Sequence, residues 1–529
     1  MSYSLPITVL AAVVTAYVLL SRGFGKSSKG LRYPPGPKPR FITGNAKDIP
    51  HERHWIGFAN WTKKYGSGFI YFTVFRTKFL VINDYKVAFD LLDKRSTIYS
   101  DRPKSVMIDL IGWGFNMTFF NYGERWKEHR RVMHQNLNNR AVREWRQLQS
   151  DVTHKFLKKL VANPNDWLYR IEQYALPLPF SPFEGSLPDH SMTGSAIMKF
   201  TYGYELKEKD EYMPTVKKAI TALTTSQGIG FMVDKIPLLQ YVPAWVPGTQ
   251  FKKFAKDYRP YCEAILEGPF KDTKERWAAG TAPDSYVTRL LEGFGGAKIS
   301  QEKEEVVKDS SAVLYAAGTD STYSILSSFF LACTIHPEAH KKARDEIDRV
   351  VGTDRLPDFG DRESLPYVEA LVKELYRWNP AAPLGPSHQI LVDDEYEGYF
   401  IPAGTIIHPN IWAMTHNEEM YPDSLTFNPD RFLGLDEVTA KEIDPKNFIF
   451  GFGRRVCVGQ YFADQQIWLA VACLVATFDI RKAKDQSGKE ITPVPNYPSF
   501  VGKPDPFPCV VTLRNTNAAK LIDELPVEA

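Results

Sequence analysis

Of the five cysteines in this chain, Cys457 stands apart by what surrounds it. The run Phe450-Gly451-Phe452-Gly453-Arg454-Arg455-Val456-Cys457-Val458-Gly459 follows an irregular stretch and leads into a helical pattern from Gln460 to Thr477. A cysteine in a glycine-rich turn at a helix start meets backbone N–H groups and the positive end of the helix dipole. Both favour the thiolate over the thiol. Gly453 and Gly459 permit a positive φ or the close approach of a flat ligand. Arg455, two residues before the cysteine, can pair with a ligand carboxylate, and Phe450 can screen the sulfur from water. A thiolate held this way is a metal ligand, and on a haem iron it pushes electron density toward the metal and favours O–O cleavage. Cys473 and Cys509 lack such a setting and read as ordinary buried thiols.

Other constellations recur along the chain. Glu374-Leu375-Tyr376-Arg377 puts an acid and a guanidinium at i and i+3, where they can pair on one helix face. Trp126-Lys127-Glu128-His129-Arg130 puts an aromatic and a cation at i and i+4 in the same way. Two decoys can be set aside. His336 and His340 are four apart, but Pro337 fits the first turn of a new helix and leaves His336 at its cap. Gly451-x-Gly453 lacks the third glycine and the strand–helix unit of a dinucleotide fold.

The cysteine run resembles the ligand loop of the cytochrome P450 family, F-x-x-G-x-R-x-C-x-G, and Phe450, Gly453, Arg455, Cys457 and Gly459 fill every fixed position. Further family segments follow in the family's order. Glu374 and Arg377 match E-x-x-R, and Phe427-Asn428-Pro429-Asp430-Arg431-Phe432 resembles F-x-P-x-R-F. The resemblance implies a structural Glu374–Arg377–Arg431 network that locks the loop supporting the haem. Ala317-Gly318-Thr319-Asp320-Ser321-Thr322 resembles the oxygen-activation motif. There Gly318 would leave room for a flat ligand and O2, and Asp320 with the adjacent hydroxyl would relay protons. The competing reading is a stretch of small residues whose alcohols bond back to helix carbonyls. The family usually has threonine where Ser321 stands. Serine keeps the hydroxyl without the methyl that restricts its rotamer, so Thr322 is a second candidate for the task. Trp126 and Arg130 match W-x-x-x-R, and Arg102 and His388 occupy similar family positions, all implied to hold the haem propionates. Lys127, Arg131 and Arg454 are implied on the cysteine side, where they could dock an acidic electron donor.

These residues need a scaffold. Between about residue 50 and residue 380 the patterns are mostly helical, with Asp84–Lys94, Glu124–Asn138, Lys252–Ala278 and Ser300–Ile335 the clearest. Ser300 can cap the last of these, and Glu302, Glu304 and Glu305 suit its dipole. Phe69–Val74 and Phe79–Asn83 read as a hairpin. From about residue 380 to Gln460 short strands and ordered coil are expected. The fold class is therefore mainly α with a minor β portion, in one large domain. No fixed-period repeat is visible.

Residues Leu5 to Leu20 carry no charge, and Arg22, Lys26, Lys29 and Arg32 follow. With the flanking residues this is close to the ~20 needed for a span, and the basic flank places the following domain in the cytosol. A cleaved secretory signal would have its basic residues before the apolar run. The expected organisation is an anchor over 1–21, a basic and proline-rich linker over 22–40 acting as a semi-rigid spacer, a haem-thiolate domain over 41–515, and a polar, fraying tail over 516–529. Leu176 to Met192, with four prolines, reads as a surface loop insertion or as a short in-frame intron carried into translation.

Composition excludes several classes. Hydrophobic residues make up 43%, and 65 Lys+Arg against 62 Asp+Glu leave a net charge of +3. Intrinsic disorder and a nucleic-acid partner are out. Few cysteines and no C-x-x-C exclude a disulfide scaffold and a zinc ribbon, and point to a reducing compartment.

Taken from about Tyr33 to Leu513, the resemblance implies a haem b monooxygenase of the fungal microsomal type. One atom of O2 would enter a terpenoid, steroid or aromatic substrate, with electrons from NADPH through a cytochrome P450 reductase, and cytochrome b5 as a further partner. The endoplasmic reticulum membrane is the expected location, with membrane lipid in contact. Substrate contacts are expected around Val106–Phe115 and Ser226–Val233 and along the long helix. The alternatives are a haem-thiolate isomerase or dehydratase that uses no O2, and a non-catalytic membrane-tethered haem carrier.

Overall fold

The computed structural model describes residues 30–50, 52–162, 164, 193–206, 212–227, 230–498 and 501–526. The expected anchor over 1–21 and the Leu176–Met192 segment lie outside these residues. Among the described residues no helix is long and apolar enough to cross a membrane.

Numbering the longer helices in chain order, α1 is His54–Tyr65, α2 Glu124–Leu137, α3 Arg146–Ala162, α4 Thr193–Tyr202, α5 Tyr212–Thr225 and α6 Gln250–Ala278. They are followed by α7 Tyr286–Gly293, α8 Gln301–Ile335, α9 Pro337–Val350, α10 Pro366–Trp378, α11 Gln460–Thr477 and α12 Thr516–Asp523. The strands are β1 Phe69–Val74, β2 Thr77–Ile82, β3 His388–Gln389, β4 Asp394–Tyr396, β5 Tyr399–Ile401, β6 Ile406–Pro409, β7 Phe478–Lys482 and β8 Cys509–Leu513.

The axis of the molecule is α8, 35 residues long and so about 52 Å at 1.5 Å per residue. It starts where Ser300 accepts the Lys303 amide, with Glu302 and Glu304 in its first turn, and it stops at His336 before Pro337. Pro337 opens α9 with His336 as its N-cap, so the two histidines of the zinc-like spacing sit on different elements. The apolar interior divides along α8. Residues from Val306 to Ala316 pack with α2 and α4–α7, and residues from Tyr323 to Cys333 pack with α3 and α9–α11. Helix α11 is buried on nearly every side from Phe462 to Val475, as a helix apolar all round must be. Gln149 of α3 ties it down by donating to the Phe462 carbonyl at 2.9 Å.

The hairpin joins a four-stranded sheet of order β1-β2-β6-β3. Strands β1 and β2 are antiparallel with Phe72 opposite Phe79, β2 runs parallel to β6, and β3 pairs antiparallel with β6. The parallel pair brings residues near 80 and near 407 together, which sets the early loops beside the late coil. That coil, from residue 380 to 460, holds β3–β6 and short helices at Ile411–Thr415, Glu437–Glu442 and Lys446–Ile449.

Two boundary expectations are corrected. The proline-rich run is no free spacer: Tyr33 stacks on Tyr71 with ring centroids 5.0 Å apart, and the Tyr71 amide donates to the Pro35 carbonyl at 2.9 Å. Arg32 is docked on β5, where its carbonyl accepts the Phe400 amide at 2.8 Å, and Tyr33 and Pro35 on β1, because a pre-extended segment offers its carbonyls to a strand at little entropic cost.

The tail is no fraying polar end either. Asn515 caps α12, Ala518 and Ile522 are buried, and Lys158 of α3 donates to the Leu525 carbonyl at 2.6 Å. The tail's few apolar residues fall on one helical face, and composition alone hid this. Ile522→Asp is expected to lower unfolding stability by about 2–4 kcal/mol, read from denaturant unfolding. An unchanged midpoint would mean that the helix is not docked.

Candidate functional site

The loop ahead of α11 is shaped by its glycines and closed by one backbone bond. Gly451 and Gly453 have φ of +81° and +50°. The Cys457 amide donates to the Phe450 carbonyl at 2.7 Å. Gly453 owes its identity to protein: an added Cβ would lie 2.5 Å from the Leu92 carbonyl oxygen and 3.1 Å from Asp93 Cα. Its amide donates to Asp93 Oδ2 at 3.0 Å. Gly459 has an ordinary φ of −88° as the N-cap of α11, and nothing lies within 4 Å of the Cβ it lacks. Of the two glycines, only Gly459 borders open space. The Phe450 ring meets Tyr376 edge-on at 5.9 Å.

Cys457 is walled in by protein yet keeps open side-chain surface. Burial pushes its thiol up, against the downward pull of the Gly459 and Gln460 amides and of Arg130. The N–H groups expected to favour thiolate are there, but burial outweighs them. A metal cation at the sulfur would reverse that balance.

The basic residues converge. Arg455 donates to the Ser100 and Phe120 carbonyls, each at 2.8 Å, and its guanidinium lies 4.4 Å from the centroid of the Trp126 ring. Arg130 donates to the Val456 carbonyl, next to the cysteine. Arg102 donates to the carbonyls of Pro386 and Ser387, and its Nε is buried with no hydrogen-bond partner among the described residues. His388 Nδ1 lies 2.9 Å from the Tyr99 carbonyl. Burial and then Arg455 push Arg102 well below its usual range, with Asp101 opposing. Burial and then Arg102 do the same to His388. Asp101 is itself engaged, accepting from Asn121 and the Tyr122 amide. Two guanidiniums repelling each other in a buried place, with one occupied carboxylate between them, are short of negative charge. Porphyrin carboxylates would supply it.

The acid–alcohol motif departs from the expected arrangement. Asp320 pairs with Lys503, from a segment 183 positions along the chain, and accepts no hydrogen bond from Ser321 or Thr322. Ser321 Oγ donates to the Ala317 carbonyl at 3.1 Å, the backward bond typical of helix alcohols. Gly318 does not open space for a ligand: a Cβ there would lie 2.8 Å from Ile197 Cγ1 of α4. The open position is Ala317, exposed while Ala316, Thr319 and Asp320 are buried and Gly318 and Ser321 partly so. Ser321 shares the Ala317 face at i+4, whereas Thr322 shares the Gly318 face that packs on α4. Ala317 and Lys503 were missed as site residues. Ala317 was legible only as a small residue within the motif, and Lys503 had no local signal at all. Val458, beside the cysteine, packs into the same cluster as Val313 to Ala316, so α8 and the cysteine loop border one region.

The structure brings Glu374, Arg377 and Arg431 together. Arg377 grips Glu374 with two bonds of 2.7 Å and donates to the Thr415 and Ser424 carbonyls at 3.0 and 2.7 Å. Arg431 Nε and the Asn428 amide reach Glu374 Oε1 at 3.2 and 2.8 Å. Glu374 and Arg377 have no solvent exposure.

The residues present fit haem: a sulfur on a helix-starting loop, open side-chain surface at Cys457 and Ala317, and buried cations lacking an anion. In a mainly α fold, these features define a haem-thiolate protein. The cytochrome P450 profile matches residues 34–509. A cytochrome P450 monooxygenase of Armillaria gallica is 37% identical over 97% of this chain and 99% of its own. Cytochrome P450 monooxygenase 176 of Postia placenta is 36% identical over 99% of both chains. The claR monooxygenase of Ampulloclitocybe clavipes is 38% identical over 97% of this chain and 92% of its own. The chain belongs to the cytochrome P450 family.

Proposed function

We infer that this protein is a haem-thiolate monooxygenase acting on an apolar small molecule, of terpenoid, steroid or aromatic type. The observation that carries the reading is the buried Arg102–Arg455–His388 cluster, short of an anion, beside the loop of Cys457. Cys457 would be the axial ligand, with Arg102, Arg130, Arg455, Trp126 and His388 holding the propionate edge and Phe450 closing the loop. Haem bound there supplies dioxygen activation and transfer of one oxygen atom to the substrate.

Around it, the chain's own groups manage charge and water. Ala317 leaves α8 open for substrate, and Ser321 carries the hydroxyl on that face. Asp320, one residue away and tethered by Lys503, places a carboxylate beside that hydroxyl. Exposed Lys127 and Arg131, with Arg454 set against Tyr122 and Thr97, form a basic face suited to an acidic reductase that draws on NADPH, or to cytochrome b5. The uncharged run over 1–21 would tether the domain to the endoplasmic reticulum membrane, facing the cytosol.

The test is turnover with a supplied reductase. Product should require NADPH, reductase and O2 together. Product formed without O2 would favour an isomerase or dehydratase, and a haem spectrum that no substrate perturbs would favour a carrier. Asp320→Asn should lower product per NADPH consumed, and kcat by about a hundredfold or more. The carbon monoxide spectrum should stay intact. Unchanged coupling would remove Asp320 from proton delivery.

A further inference from the structure

Away from the cysteine loop, the short helix Met232–Lys235 closes over the short helix Val106–Leu110. Asp234 makes the joint: its Oδ1 accepts from Ser105 Oγ at 2.9 Å and from the Met107 amide at 3.0 Å, and its Oδ2 accepts from the Phe231 amide at 3.3 Å. That carboxylate is therefore fully engaged. The next residue is not. Among the described residues Lys235 forms no ion pair and no hydrogen bond, and its ammonium lies 4.8 Å from the centroid of the Phe79 ring.

Lys235, Lys104 and Arg102 border a cavity of about 80 Å³ whose apolar walls include Ile108, Phe119 and Ile406. It has room for a carboxylate and a few carbons, roughly two to three water volumes. Among the described residues Asp234 is the one carboxylate on its lining. Burial lowers Lys235 to about 8. A half-buried ammonium without a partner is costly, and a charge-assisted bond to an incoming anion would recover that cost. The Met232–Lys235 turn carries none of the residues assigned to haem, so its cation is free for another ligand.

The geometry points to a subsite for the carboxylate of an apolar acid: Lys235, with Lys104 at the rim, holds the anionic end while the apolar remainder runs inward past Ile108 and Phe119. The inference rests on the monooxygenase reading only for what happens to the acid afterwards. It narrows the substrate class to molecules with an anionic terminus.

Decanoic acid and methyl decanoate distinguish the two ends of such a ligand. The haem-loaded protein, titrated with each, should show a spin-state shift with the acid about tenfold or more tighter than the ester. Salt should weaken only the acid. The preference should vanish in Lys235→Gln and survive in Lys235→Arg. Acid affinity should also fall as pH rises past about 8, because the unliganded protein then loses the Lys235 proton that the anion needs. Among the described residues the other charged or titratable groups around Lys235 are Asp234 on the same turn, Arg102 and Lys104 before Val106–Leu110, Asp109 on that helix, and His408 on β6 with His54 of α1 beyond it. Burial holds His408 neutral, at about 3, so it does not titrate in this range.

A second readout separates the subsite from the reaction. Decanoate should raise the thermal midpoint of wild type, but not of Lys235→Gln. If that holds while no ligand moves the spin state, the subsite stands and the monooxygenase reading falls. Equal binding of acid and ester, or a preference unchanged in Lys235→Gln, overturns the subsite.

Discussion

Cys457→Ser is expected to abolish the red-shifted Soret band of the reduced, carbon monoxide-exposed protein and to lower turnover by about a thousandfold or more. A loss of that size corresponds to roughly 4 kcal/mol of transition-state stabilisation. The substitution removes the group that would donate charge to the iron while leaving the loop intact. What closes the loop is the Cys457 amide on the Phe450 carbonyl at 2.7 Å, together with the Gly453 amide on Asp93. Neither involves the sulfur. The serine variant should therefore fold, with a denaturation midpoint close to that of the parent, and the loss should be chemical. Retained turnover, or a retained red-shifted band, would remove Cys457 from the iron.

The second large effect belongs to a residue that touches no substrate. Glu374→Ala should destabilise the fold by about 3–5 kcal/mol, the usual consequence of stranding buried charge. Haem incorporation should fall with it. The carboxylate serves Arg377, Arg431 and the Asn428 amide at once, and Arg377 in turn holds the carbonyls of Thr415, Ser424 and Thr426. Removing the hub leaves a fully buried guanidinium facing carbonyls alone. Arg377→Lys should rescue little, since an ammonium cannot reproduce the fork. The exposed Lys253–Asp257 pair supplies the contrast: Asp257→Ala should cost well under about 1 kcal/mol. Equal midpoints for the two variants in denaturant unfolding would contradict a locking role for Glu374.

Much of the fold was legible because it is local. Caps, dipole charges and Pro337 set the ends of α8 within a residue, since a helix is decided by neighbours three and four positions apart. The hairpin was legible for the same reason, although β2 begins at Thr77, two residues before the expected start. The cysteine loop could be read because its glycines, arginine and cysteine sit within ten consecutive positions. The tail misled because composition averages over faces. It reads as polar, yet Ala518 and Ile522 fall on one side of a helix and are buried.

By itself, then, the sequence determined the class of chemistry: a thiol on a helix-starting loop, an acid beside an alcohol in a long helix, and a mainly α scaffold to carry them. Tertiary structure alone decided who stands next to whom. Asp320 meets Lys503, Gly318 meets Ile197, and Lys235 meets Phe79. Each pair joins residues more than a hundred positions apart, so no local spacing encodes it. The physical reason is that packing and Coulomb forces act through distance in space, while spacing along a chain reports only the neighbours that a helix or strand turns toward each other.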